Sequence, residues 1–387
     1  MKVIETIKRL FSKNVEFVSY PKTSDWMFDE NLKVNWKLLD KCREFHALKG
    51  CKQSAKYHAE GNAWEHTKLV VENMYDYVSR HYSFNTPSDK ATAKLLLTAA
   101  LFHDIGKPTT TFFDKTDNDW HCKNHGAEGE RITRNMLLDE QIDFREEVCW
   151  LVRHHMTLHY LDPKSTEEKN RKIDELYHGH STIENLMALN VADCKGSISK
   201  ENTDEILKKR VAYVKGIAGD RYSQHYLHVY DDTLPKAYIM IGVAGSGKDT
   251  YIKRNLPYLD CVCRDDFREI LTYQTVKGEK LYLDKQGEAK VTQMVNEAIK
   301  DACLNNKSFV VNQTSLSKRY RKALVEQIKD NNPNYAIIYI YLEPFGGVEV
   351  CKTRRAGQIK PDIIQRMWDN LEFPDYNECD ELIKYKS

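Results

Sequence analysis

Between residues 64 and 82 apolar side chains return every three or four positions (Leu69, Val70, Met74, Tyr77, Val78), with Asn73 on the same stripe. That spacing predicts an amphipathic helix. Residues 91–102 are apolar nearly all round, which predicts a buried helix. Gly106 and Pro108 stop it just after His103-Asp104. Further helices are expected at 126–140, 143–154, 167–177 and 182–194, so the stretch from 56 to about 216 reads as nearly all helix. The pattern changes after residue 218. Residues 219–235 are polar and aromatic, with Asp231-Asp232 ahead of Leu234-Pro235, and mark an expected linker. Beyond it, strand-like runs at 237–241, 261–264, 308–312 and 336–342 alternate with helical stretches beginning at 248 and spanning 285–305 and 318–330. Such alternation predicts a parallel sheet with helices on both faces. The expected architecture is an all-α helical bundle over 1–218, a linker over 219–235 and an α/β domain over 236–387.

Length agrees with that division, since 387 residues exceed what one hydrophobic core usually serves. No apolar run reaches the roughly 18 residues that span a bilayer, so no membrane partner is expected. Residues 1–11 mix Lys2, Glu5, Lys8 and Arg9 among apolar positions, as in a short amphipathic helix rather than a secretion signal. A cytoplasmic protein is the expectation. Ten cysteines are too dilute for a disulfide scaffold. Cys261 and Cys263 share one face of a strand, no C-x-x-C pair exists, and buried reduced thiols are expected. With a net charge of +1, any nucleic-acid contact must use local basic clusters. Two exist, at 318–322 and 352–355; for Lys318, Arg319, Arg321 and Lys322 a solvated helix face is an equally good reading.

The first half carries scattered histidines and aspartates: His66, His103-Asp104, His125, His154-His155 and Asp193. Imidazole and carboxylate suit divalent cations, which polarise phosphorus–oxygen bonds and supply hydroxide near neutral pH. Each candidate lies on a predicted helix or its flank, so a bundle can gather them from several directions. A histidine taken singly is more often structural. His154 and His155 cannot both face one site on a helix, since neighbours point about 100° apart.

The second half opens on Gly242-Val243-Ala244-Gly245-Ser246-Gly247-Lys248-Asp249-Thr250, a G-x-x-x-x-G-K spacing between a strand and a helix. The glycines let backbone N–H groups turn toward phosphate oxygens, with Ser246 inside the loop and Lys248 reaching the β and γ phosphates of a nucleotide. Asp249 replaces the usual hydroxyl residue, so either it or Thr250 is left to ligate magnesium. After the second strand, Asp265 is placed to take a proton from an attacking hydroxyl and Arg268 to grip an acceptor phosphate. A plain surface ion pair between them is the competing reading. Arg354 and Arg355, followed by Gly357 and Pro361, read as a mobile arginine lid.

The order His58-Ala59-Glu60…His66, His103-Asp104-Ile105-Gly106-Lys107, His125-Gly126, Arg153-His154-His155-Met156, Asp193 resembles the HD phosphohydrolase superfamily. It is most like HD domains attached to tRNA nucleotidyltransferases and end-healing enzymes. That resemblance implies His66, His103, Asp104 and Asp193 around one metal, Asp104, His125 and His155 around a second, and Lys107 on the phosphate. It implies transition metals such as Mn2+, Ni2+ or Co2+. Ser197 stands where relatives often carry arginine. Loop, Asp265-Asp266-Phe267-Arg268 and lid resemble phage-type polynucleotide 5′-hydroxyl kinases. That implies ATP with Mg2+, Lys248 on the transferring group, Asp265 as base, Arg268 on the acceptor and Arg355 supplying charge. Such kinases usually carry an aspartate where Asn312-Gln313-Thr314-Ser315 stands. Over nearly its whole length the chain resembles the HD-Pnk family, bifunctional enzymes that heal RNA or DNA ends for a separate ligase. Two other readings compete: a nucleotidase fused to a nucleoside monophosphate kinase, and a non-catalytic nucleotide sensor.

Overall fold

The computed structural model describes residues 17–161, 164–177, 179–199, 204–218, 231–273 and 284–387. The helix expected over 1–11 and most of the expected linker, 219–230, lie outside the described residues. The chain separates into two compact units, Met1–Gln224 and His225–Ser387.

The first unit is helical. Asn62 accepts the Glu65 backbone N–H and opens α1 (Ala63–His81), which buries Trp64, His66, Val70, Met74 and Val78. Helix α2 (Pro87–Phe102) begins with proline at its first turn, where no N–H is needed. It buries every residue from Leu95 to Phe102, as its unbroken apolar sequence requires. A turn over 103–106 follows, then a short helical turn (Lys107–Thr110) and an antiparallel hairpin, β1 (Thr111–Asp114) and β2 (Asp119–Cys122). The reading of this half as nearly all helix passed over that hairpin. Helices α3 (His125–Met136), α4 (Ile142–His154), α5 (Thr166–Leu176), α6 (Ile183–Gly196) and α7 (Asp204–Ala218) follow.

Two glycines let these elements approach closely. A Cβ on Gly106 would lie 2.2 Å from the His125 carbonyl oxygen, and one on Gly126 would lie 2.6 Å from that of Arg153. The glycines after His103-Asp104 and after His125 are therefore packing residues that bring the histidine-bearing turns together.

The second unit holds a five-stranded, all-parallel sheet in the order β4-β5-β3-β6-β7. Its strands are β3 (Lys236–Ile241), β4 (Asp260–Cys263), β5 (Phe309–Asn312), β6 (Ala336–Glu343) and β7 (Glu381–Lys386). Every residue of β6 is buried, as expected for a strand deep in a parallel sheet. Helices α8 (Lys248–Asn255), α9 (Arg264–Tyr273), α10 (Lys285–Leu304), α11 (Lys318–Asn331), α12 (Gly347–Arg354) and α13 (Pro361–Asp369) accompany it. Met240, Val310, Ile338, Ile340 and Leu342 form a core with Ile252 of α8.

Two sequence expectations need correction. All ten cysteines are free, but Cys261 is exposed rather than buried. Arg321 is not part of an open basic face. It is fully buried, its guanidinium donates to Glu378 at 2.7 and 3.0 Å and to the Ser315, Leu316 and Glu372 carbonyls, and it ties α11 to the segment leading into β7.

Candidate functional site

In the first unit, His66 comes from α1, His103 and Asp104 from the turn after α2, His125 from the start of α3, His155 from the end of α4 and Asp193 from α6. All six are buried, and they converge as two triads, His66–His103–Asp193 and Asp104–His125–His155. Asp104 joins them. Its Oδ2 lies 3.3 Å from His103 Nε2 and 3.7 Å from His66 Nε2, while its Oδ1 lies 3.5 Å from His125 Nε2 and 3.7 Å from His155 Nε2. His154 stays outside the cluster, against the Trp150 ring.

The hydrogen bonds on the far side of each ring decide what the near side can do. Nδ1 of His103 donates to the Ala100 carbonyl at 2.8 Å, Nδ1 of His155 to Val152 at 2.6 Å and Nδ1 of His125 to Cys122 at 3.3 Å. With each Nδ1 carrying the proton, the neutral rings aim an Nε2 lone pair into the cluster. Two such lone pairs, on His125 and His155, face each other at 3.0 Å. A third, on His103, is buried without a hydrogen bond and looks at Asp104 and Asp193. Lone pair against lone pair, and lone pair against carboxylate, are repulsive unless a cation stands between them. Donation of the outer N–H to a backbone carbonyl is also how metal-binding imidazoles are usually oriented. These residues therefore fit a pair of divalent cations.

Electrostatics agree. Burial opposes charge on Asp104, yet Lys107, its Nζ 2.6 Å away, and His103 hold the carboxyl well below the usual carboxylate range. Burial also opposes charge on His66, but Asp193 and Glu60 outweigh it and raise the imidazole to about 9. Without a metal, His66 thus carries a proton that a bound cation would displace. Burial, with His125 and His103 alongside, pushes His155 down to about 3.

Three participants escaped the sequence reading or were left without a role. Glu60 accepts from Nδ1 of His58 at 2.8 Å, and the same carboxylate oxygen lies 2.8 Å from Nδ1 of His66, so it stands behind the first histidine of the cluster. His159 lies 3.2 Å from the second oxygen of Asp193; burial opposes its charge, but that bond raises it to about 9. Gln53 accepts from Lys107 at 2.6 Å. Glu60 falls in the His58-Ala59-Glu60 run, whereas Gln53 and His159 belong to no such run; His159 sits four residues past His155, and only its partner identifies it. A pocket of 410 Å3 reaches Asp104, Lys107, His125, His159 and Asp193. Ser197 lines it, and among the described residues no arginine does.

In the second unit the glycine loop joins β3 to α8. Gly245 and Gly247 have φ of 88° and 99°, left-handed values that favour glycine. A Cβ on Gly245 would lie 2.8 Å from the Cys351 carbonyl oxygen. Lys248 donates to the Gly242 and Val243 carbonyls at 2.9 and 3.0 Å, curling its amine over the loop, and burial lowers it to about 8. Ser246 is buried inside the loop with its hydroxyl unpartnered. Asp249 accepts from Asn312 at 2.7 Å and lies 3.7 Å from Arg355; Thr250 is exposed beside it. A cleft of 840 Å3 at this edge of the sheet is lined by Lys248, Asp249, Thr250, Asp265, Arg268 and Arg355 among others. The loop is a cradle that side chains would fill, which fits a nucleotide triphosphate.

Asp265 and Arg268 do pair, at 2.6 Å, and Asp265 is largely exposed. Arg268 also donates twice to Glu288 of α10, at 2.8 and 3.0 Å, and Arg264 donates to the same carboxylate at 2.9 Å. Glu288 has no signature of its own in the sequence. Arg354 donates to the Gly245 carbonyl at 3.2 Å, so the arginine segment rests on the phosphate loop. The residues where an aspartate was expected are occupied: Asn312 by Asp249, and the Gln313 side-chain oxygen by the Tyr320 hydroxyl.

Comparison with known proteins gives the same two parts. The HD domain family matches residues 63–193, and the AAA domain family matches residues 238–361. The CC-adding tRNA nucleotidyltransferase of Thermus thermophilus is 35% identical over 115 residues, 29% of this chain and 24% of that protein. The bifunctional uridylyltransferase/uridylyl-removing enzyme of Idiomarina loihiensis is 30% identical over 146 residues, 34% of this chain and 15% of that one. The multifunctional CCA protein of Pasteurella multocida is 26% identical over 162 residues, 42% of this chain and 36% of that one. The chain thus matches only about a third or less of the length of these relatives. Among solved structures, a putative kinase from Chloroflexus aurantiacus aligns with a TM-score of 0.33 and 16% identity over 40% of this chain and 87% of that one. The Pnkp1/Rnl/Hen1 RNA repair complex aligns with a TM-score of 0.31 and 24% identity over 36% of this chain and 45% of that one. One polypeptide therefore carries an HD domain followed by a P-loop domain of the AAA type, an arrangement consistent with the HD-Pnk architecture.

Proposed function

We propose that this chain heals broken nucleic-acid ends from both sides. The second unit transfers the γ-phosphate of ATP to a polynucleotide 5′-OH, and the first removes 2′,3′-cyclic phosphate and terminal 2′- or 3′-phosphate. The observation that carries the reading is Asp104, whose two carboxylate oxygens face two separate imidazole groups. A second carboxylate, Asp193, completes one of those groups.

His66, His103, Asp104 and Asp193 would hold one cation, and Asp104, His125 and His155 the other. Transition metals such as Mn2+, Ni2+ or Co2+ suit so many imidazole ligands. When bound, such ions polarise the phosphorus–oxygen bond and provide a hydroxide. Lys107, fixed by Asp104 and Gln53, adds positive charge where a phosphate would gather negative charge. In the second unit, with ATP and Mg2+ on the glycine loop, Lys248 leaves its loop carbonyls for the β and γ phosphates. Asp249 or Thr250, both lining the cleft, would hold the magnesium. Asp265 takes the proton of the attacking 5′-hydroxyl, Arg268 grips the adjoining phosphate of the acceptor strand, and Arg355 offsets charge on the transferring group. RNA is the favoured substrate, because a 2′,3′-cyclic phosphate requires a 2′-OH. The products, 5′-phosphate and 3′-OH, are the ends that a ligase joins.

The test is radiolabel transfer from γ-labelled ATP to a 5′-OH oligonucleotide ending in a 2′,3′-cyclic phosphate, with both termini followed. Labelled 5′ ends together with free 3′-OH ends support the reading. Labelling of free mononucleotides alone would instead favour a nucleotide-metabolism enzyme, and binding of nucleotide and metal without turnover a sensor.

A further inference from the structure

The 410 Å3 pocket over the cation cluster is larger than a phosphate group requires and falls in the roughly 300–1,000 Å3 range of small-ligand sites. Its outer wall is aromatic and basic. Tyr57 and Tyr160 line it while 41% and 60% exposed, and Trp120 of β2 lines it half-buried. Lysine ammonium groups decorate two of these rings: Lys52 sits 5.4 Å from the Trp120 centroid and Lys56 5.0 Å from that of Tyr57. Exposed aromatic faces interleaved with lysines are the means by which proteins hold single-stranded nucleic acid, stacking bases and tracking phosphates. A site for inorganic or small aliphatic phosphates has no use for such a wall.

The rings are also held in place. Ser54 donates to Asp119 at 2.5 Å, Cys51 contacts Thr111 at 3.3 Å, and Phe113 packs edge-on against Trp120 at 5.2 Å. The hairpin is thereby braced on the 51–58 segment, the same segment that leads through Gln53 to Lys107 and Asp104. Gln53 Nε2 is buried in that corner without a partner, leaving an amide donor for a ligand.

We propose that the β1–β2 hairpin and the 52–58 segment form a nucleobase platform. Trp120, with Tyr57 and Tyr160, stacks the base of the nucleotide that carries the terminal phosphate, and so delivers that phosphate to the cluster. This rests on the phosphate-removal reading above. It makes the first unit selective for a nucleotide end over other phosphate monoesters.

The experiment uses the full chain with Mn2+ and two oligonucleotides that carry a 3′-phosphate, one ending in a normal nucleotide and one in an abasic sugar. The unaltered protein should prefer the base-bearing end about tenfold in kcat/KM, the scale of a single base–aromatic stack. Trp120→Ala should erase that preference through KM, with kcat held within about twofold, and Trp120→Phe should restore it. Equal turnover of both ends by the unaltered protein overturns the platform while leaving phosphate removal intact. An equal loss on both ends in Trp120→Ala also overturns it, since the residue would then be structural. Failure to release phosphate from either end overturns the phosphate-removal reading itself.

Discussion

At the scale of single residues the site depends on one carboxylate serving two groups. Asp104 faces His66 and His103 with one oxygen and His125 and His155 with the other. Asp104→Ala should therefore abolish binding at both cation positions, whereas His155→Ala should spare the one that His155 does not touch. Metal content after dialysis against Mn2+ reads this directly. Phosphate removal should fall by at least about a hundredfold in Asp104→Ala while 5′ phosphorylation persists. Asp265→Ala should do the reverse: loss of 5′ phosphorylation, with 3′ processing unchanged in an end-labelled assay. Much of this cluster was legible because its residues sit in short, ordered runs such as His103-Asp104-Ile105-Gly106-Lys107. His159 and Glu288 were not, because each acts through a partner distant in sequence: His159 through Asp193 and Glu288 through Arg268. A carboxylate or imidazole of that kind leaves no spacing signal.

Among elements, long helices and the buried strand β6 were legible because their apolar periodicity extends over many residues. Helix α1, expected over 64–82, spans Ala63–His81, and β6, expected over 336–342, spans Ala336–Glu343. What escaped was short or locally ambiguous. The four-residue strands of the hairpin flank a polar tip, helix α9 begins directly where β4 ends, and β7 is a short strand at the sheet edge. Helices α3 and α4, which carry His125 and His155, are fastened by a buried ion pair that no periodicity reveals. Arg134 of α3 donates to Glu146 of α4 at 2.6 and 3.0 Å, and Arg145 donates to the same carboxylate at 2.8 Å. Burial alone would raise the Glu146 pKa, but the two guanidinium groups outweigh it and hold it at about 2, against an ordinary 4.5. A carboxyl lowered on folding stabilises the fold fully above its unfolded pKa and loses that contribution as pH falls through the folded one. Ionisation of Glu146 therefore favours the fold at neutral pH, a contribution that declines below about 4.5 and is gone near 2. Glu146→Gln, which leaves buried guanidinium groups without their carboxylate, should lower the melting temperature of this unit at pH 7. The difference from the unaltered protein should shrink as the pH is taken from 5 to about 3, measured by thermal unfolding followed by circular dichroism.

For the molecule as a whole, the described residues of each candidate site fall within one unit. The cation cluster and its supports fall between Gln53 and Asp193, and the phosphate loop and its neighbours between Gly242 and Arg355. Among the described residues each site is built from side chains of its own unit, so the two activities should be separable by substitution even though they reside on one polypeptide. Lys248 offers the sharpest case. Its amine is held over the glycine loop by two backbone carbonyls, and the lysine of a G-x-x-x-x-G-K loop is the one that reaches the β and γ phosphates of a nucleotide. Lys248→Ala removes that charge without altering any glycine of the loop. It should reduce 5′ phosphorylation by about 10²–10³-fold, the usual cost of deleting one charge-stabilising donor. Removal of the 3′-phosphate from the same oligonucleotide should stay within about twofold. Because one substrate reports both ends, a parallel fall in the two reactions cannot be blamed on protein loss once folding is checked by circular dichroism. A parallel fall would mean that nucleotide binding in one unit controls catalysis in the other, and the two sites would have to be treated as coupled.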